Sequence, residues 1–125
     1  MIRSLVTMFI AIALLFCAIT AEQKTVNQSF EEFKKVIYVT QKKLESENPT
    51  PNDADGLRDF WLEQKRKLHA WIPHSEIKEI DLWVSECSAY TKIGKFDEAC
   101  TKLEVLKTLS VQTPFNFLLL IENLF

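Results

Sequence analysis

Glycine is scarce in this chain. The 125 residues contain two glycines, four prolines and three cysteines, and each shortage closes off a class of protein. So few glycines disfavour hairpin-rich β architecture and fit helices joined by tight connections. There is no glycine-rich phosphate loop, no serine elbow and no reactive-cysteine signature around Cys87 or Cys100, so no motif with a catalytic mechanism stands out. A net charge of -2 supplies no basic patch for nucleic acid. Residues 4–21, in contrast, form an uninterrupted uncharged and mostly apolar run behind a lone Arg3.

That run has the three parts the export machinery reads: a positive start at Arg3, an apolar stretch from Leu5 to Ile19, and a small-residue exit from Ala18 to Ala21. Its length lies on the border between a cleaved signal peptide and a spanning helix, which needs roughly 17 residues or more. Both outcomes stay open, with a retained anchor preferred over cleavage near Ala21. Leu14-Leu15-Phe16-Cys17 lacks the small residue that lipidation of Cys17 would need. Arg3 before the run, with Glu22 and Lys24 straddling its exit, keeps the N-terminus inside and the body outside. The expected organisation is a signal peptide or signal anchor over residues 1–21, a polar connector over 22–28 and an extracytoplasmic helical bundle over 29–125.

The bundle is expected to be all-α, with about four to five helices after the N-terminal hydrophobic helix. Ser29-Phe30-Glu31-Glu32 reads as a capping box and predicts a helix start separate from the leader. Phe30, Phe33, Ile37, Thr40 and Leu44 then alternate spacings of three and four on one face. The helix should end near Glu47, since Pro49 and Pro51 cannot continue it. Asn52 or Asp53 can cap a second helix with the stripe Leu57, Trp61, Leu68 and Trp71, ending at Pro73. Ser75 can cap a third, with Ile77, Ile80, Val84, Cys87 and Tyr90 inside, which Gly94 can stop in a left-handed conformation. A fourth runs from about Phe96 through Leu109, and Thr113-Pro114 predicts a last segment whose tail is apolar nearly all round. That tail is too short to span a bilayer, so it is either buried against the other helices, the preferred reading, or offered to a partner or a membrane surface. An exported location permits Cys87 and Cys100 to pair, and two buried thiols remain the alternative.

Trp83, Tyr90, Ala99 and Leu103 have the spacing of a tetratricopeptide repeat, in which a small residue lets two helices approach closely. Glu86, Cys87 and Leu103 depart from the usual residues and no second copy lies upstream, so the implication is one repeat-like hairpin and not a solenoid. At Trp61, at His74-Ser75-Glu76-Ile77-Lys78-Glu79-Ile80-Asp81, at Tyr90 and Glu98-Ala99, and at Ile121-Glu122-Asn123-Leu124-Phe125, the chain resembles Domain of Unknown Function 4363. The resemblance implies a small bacterial protein with one N-terminal hydrophobic segment and a helical extracytoplasmic part, and it implies no particular activity.

His69 and His74 flank a helix end, with Glu76, Glu79 and Asp81 following, so metal binding or acid–base chemistry is formally available. Pro73 disturbs the fixed helical spacing that two zinc-binding histidines need, and no catalytic, cofactor-binding or metal residue is assigned. The candidate interaction or ligand surface is Trp61, Trp71, His74, Glu76, Trp83 and Tyr90. A protein partner is the preferred occupant, with a small molecule in an aromatic-lined pocket as the alternative. No cofactor is expected, and the membrane is engaged through residues 4–21 if they are retained.

Overall fold

A computed structural model describes the backbone of residues 1–124, with the side chains of all these residues except Glu22, Gln23, Leu120, Ile121 and Leu124. Four helices account for nearly all of it: α1 (Ile2–Leu44), α2 (Asp55–Leu68), α3 (His74–Lys92) and α4 (Phe96–Leu124). No strand occurs among the described residues. The protein is all-α. Short connections make successive helices antiparallel, and each packs on its neighbours in the order α1, α2, α3, α4 and back to α1.

The core follows the expected faces. Phe30, Phe33 and Ile37 of α1, Leu57, Trp61 and Leu68 of α2, Ile77, Ile80, Val84 and Cys87 of α3, and Ala99, Leu103 and Leu106 of α4 are buried together. Burying each larger side chain contributes about 1.5–3 kcal/mol, which is what holds helices of this length together in water. Phe33 stacks on Phe60 at 6.0 Å and meets Trp61 at 5.5 Å, joining α1 to α2. Ala99 is fully buried in the α3–α4 hairpin, as the repeat-like spacing predicts. Gly94 ends α3 with φ +82°, a conformation that costs other residues about 1–2 kcal/mol.

The helix start expected at Ser29 is not there. α1 passes through residues 22–28 without a break, and Ser29 is buried within it. A capping box acts only where amides lack partners, and no glycine or proline between Ala21 and Ser29 interrupts the ladder. Val26, fully buried, extends the stripe of Phe30, Phe33 and Ile37 by one turn, so the stretch read as a connector is the first turn of the bundle. Residues 2–18 of the same helix are exposed along their whole length.

Three other boundaries differ. Pro114 lies inside α4 instead of starting a new helix, so there are four helices among the described residues. An internal proline costs about 3 kcal/mol, and burial of Ser110, Thr113 and Phe117 on either side carries the helix across. Ala54, not Asn52 or Asp53, precedes α2. The Asp53 carboxylate instead accepts from the Thr50 amide and hydroxyl, both at 2.8 Å, and closes the proline-containing loop. α2 stops at Leu68, leaving Trp71 in the turn, and α3 starts at His74 behind Pro73 instead of behind Ser75. The expectation for the apolar tail falls partly on Leu120, Ile121, Leu124 and Phe125, outside the described side chains. Within the described part, Phe117 is buried while Phe115 and Leu119 are exposed.

Candidate interaction surface

The six candidate residues divide into three places. Trp61 is in the core, where its indole Nε1–H donates to Asp81 Oδ1 at 2.8 Å. Lys65 donates to the other oxygen of the same carboxylate, so α2 and α3 are joined by a three-membered polar link. Burial pushes the Asp81 carboxyl up, but the hydrogen bonds from Lys65 and Trp61 and the Lys65 charge outweigh it and hold Asp81 below the usual carboxylate range.

Trp71, His74 and Glu76 gather at the α2–α3 turn. Trp71 is 40% exposed. The turn brings the rings of His69 and His74 within 6.0 Å, edge to face, a proximity that linear spacing across Pro73 conceals. Glu76 Oε1 accepts from Asn116 Nδ2 at 2.9 Å, tying α3 to α4, while its Oε2 is buried without a partner. Among the described residues no group of three His, Cys, Asp or Glu side chains is arranged to hold a metal ion.

Trp83 and Tyr90 lie farther along α3, half-buried against the core. Lys102 of α4 fills the space between them, with Nζ 4.9 Å from the Trp83 ring centre and 5.6 Å from that of Tyr90. It also pairs with Glu86 at 3.2 Å. The six residues therefore do not line one pocket. A depression runs along the exposed side of α2, between Asp59 and Ala70, and none of the six borders it.

Cys87 and Cys100 are free thiols. Burial pushes the Cys87 thiol up to about 11, with the Thr91 side chain opposing and Cys100 adding to the rise. Cys100 is also raised, by burial first and then by Glu45, Asp97 and Glu104, with Lys107 opposing. A raised pKa leaves less thiolate at neutral pH, so neither cysteine has the character of an activated nucleophile.

Two extended apolar surfaces stand exposed among the described residues. One is the leader half of α1, apolar enough and long enough to cross a membrane and 0% buried across its most apolar window. The other is a stripe on α4 formed by Val111, Phe115 and Leu119, exposed by 57%, 58% and 41%. Their spacing of four puts them on one helical face, nearly opposite the core face of Ser110, Thr113 and Phe117. The sequence signal for this stripe was an apolar repeat of spacing four, set within a tail that is apolar on nearly every side. Comparisons of the chain with protein-family models, curated proteins and solved structures find no match.

Proposed function

We propose that this protein is a membrane-anchored extracytoplasmic helical bundle that acts through protein contacts and not through catalysis. The observation that carries the reading is the division of α1: residues 2–18 are bare of protein while Val26 onward is packed into the bundle. Twenty helical residues span about 30 Å, the thickness of a hydrocarbon core. The unbroken helix at Ala21 supports retention of the leader over release by cleavage, and Arg3 supports an N-terminus held inside. This is also the organisation implied by the resemblance to Domain of Unknown Function 4363.

The Val111, Phe115 and Leu119 stripe supports contact with another protein, because a contiguous apolar row left in water on a helix face marks a surface that is occupied elsewhere. Trp61 is consumed in core packing and Lys102 occupies the gap between Trp83 and Tyr90, which leaves little support for an aromatic-lined ligand pocket. Photocrosslinking groups at position 115, and at exposed Lys35 on α1 as a control, test the reading in native membranes by mass spectrometry of the products. The expected result is a defined protein adduct from position 115 alone. Equal, unspecific adducts from both positions would overturn the interaction reading, and a mature N-terminus at Glu22 would overturn the anchored one.

A further inference from the structure

α1 runs from the apolar segment into the bundle as one hydrogen-bonded rod, so the bundle has no flexible linker with which to drift from whatever holds residues 4–21. Its orientation is set by helical register. Gln41 Nε2 donates to Glu104 Oε1 at 2.9 Å, which aligns antiparallel α1 and α4. At about 1.5 Å of rise per residue along both helices, Leu119 lies level with Val26, and Leu124 lies level with Ala21. The Phe33–Trp61 contact at 5.5 Å aligns α2 in the same way and brings the turn at Trp71 close to the level of residue 23. Three separate parts of the chain thus reach one plane: the exit of the apolar run, the α2–α3 turn and the last turn of α4.

Trp71 stands about 3 Å beyond that exit and Leu119 about 7 Å beyond it. The headgroup region on each face of a bilayer is about 5–7 Å deep. Of the three tryptophans, Trp61 is in the core and Trp83 is half-buried beside Lys102, whereas Trp71 is 40% exposed. An indole has an apolar body and one N–H donor, which suits the boundary between acyl chains and water.

We infer that the Trp71 turn and the end of α4 form a seat that rests in the headgroup layer of the bilayer crossed by residues 4–21, with Trp71 as its interfacial anchor. This rests on the anchored reading proposed above. The rigid continuity of α1 selects the lipid layer as the occupant, since the seat and the apolar run leave the bundle at the same level on a helix that cannot bend away without breaking. The consequence is a bundle held at a fixed height, with Phe115 and Val111 of the α4 stripe about 13 and 20 Å beyond the exit, clear of the headgroups and open to a neighbour in the same membrane.

The full-length protein in phosphatidylcholine vesicles tests this by tryptophan quenching. Lipids brominated near the headgroup end of the acyl chain should quench part of the emission, and that part should vanish in Trp71→Phe and persist in Trp83→Phe. Phe9→Trp, made together with Trp71→Phe, reports separately on the leader through lipids brominated near the chain end. Deep quenching at position 9 with wild-type emission untouched by shallow bromines would overturn the seat and leave the anchor standing. No quenching at either depth would overturn both. Helical circular dichroism unchanged in each variant ensures that the comparison is between folded proteins.

Discussion

Replacing Trp61 with phenylalanine removes one hydrogen-bond donor from the link between α2 and α3 while keeping an aromatic ring in the core. The lost bond runs from the indole Nε1–H to a carboxylate at 2.8 Å. A hydrogen bond to a charged group contributes about 1.5–3 kcal/mol, and the Asp81 side chain is 33% exposed, so water replaces part of it and about 1–1.5 kcal/mol remains. The smaller ring leaves a void, and at about 24 cal/mol per Å³ of residual cavity a void of a few tens of Å³ adds about 0.5–1 kcal/mol. The expected loss is about 2 kcal/mol, or a melting temperature lower by about 8–16 °C for a domain near 100 residues.

Thermal melting of the full chain in a mild detergent, followed by circular dichroism, measures that loss. Combining Trp61→Phe with Asp81→Ala isolates the bond from the void, because the void cost survives in both backgrounds while the bond can be lost only once. A coupling of about 1 kcal/mol between the two changes is expected, and additivity within about 0.3 kcal/mol would refute the assignment. The pH dependence has a definite sign. Asp81 is held below the usual carboxylate range when folded, so its contribution is present above about pH 4 and disappears as the pH falls through the folded value. Trp61→Phe removes one of the interactions that depress Asp81, so its acid-induced loss should be smaller and should level off at a higher pH than in the wild type, with the onset near pH 4 unchanged.

Ala99→Phe should overpack the α3–α4 hairpin at a cost of about 1–3 kcal/mol, and an unchanged melting temperature would remove Ala99 from the close-packed seam. Gly94→Ala should cost about 1 kcal/mol from backbone strain alone, because nothing lies within 4 Å of an added Cβ, whereas Gly56→Ala, in equally open space inside α2, should gain about 0.5–1 kcal/mol. Opposite shifts in melting temperature check the pair, and shifts of the same sign would contradict it. Cys87 should resist iodoacetamide at pH 8 until the bundle unfolds, as mass spectrometry of alkylated peptides will report. Its raised value favours the folded state below about pH 8.5, and that contribution is lost as the pH rises through about 11. Alkylation of the folded protein at the denatured rate would refute its burial.

Much of the fold was legible because periodicity is a local property. Phe30, Phe33 and Ile37 announced the core face of α1, Leu57, Trp61 and Leu68 that of α2, and Ile77, Ile80 and Val84 that of α3. Gly94 marked a helix end by its own backbone preference. The misreadings involved residues that can serve two purposes. Ser29 with Glu32 can cap a helix, yet the same residues are equally at home inside one when the preceding turn finds a buried position for Val26. Pro114 suits a first helical position, yet α4 continues through it where packing on both sides exceeds the cost of the missing amide. Of the candidate surface, Trp61 proved to be core and Trp83 and Tyr90 to be engaged by Lys102, while the apolar tail divides between buried Phe117 and exposed Phe115 and Leu119, a division that its all-round apolar composition does not reveal.

The sequence by itself determined the class of structure: a strongly apolar first segment and amphipathic helices separated by a proline loop and a glycine stop, because these depend on residue type and spacing within a few turns. Only the tertiary structure decided that leader and bundle share one helix, that His69 meets His74, that Asp81 receives both Trp61 and Lys65, and that Gln41 of α1 meets Glu104 of α4. Each of these depends on how far one helix is shifted along another. That shift is fixed by side chains distant in the chain packing together, and no local pattern records it.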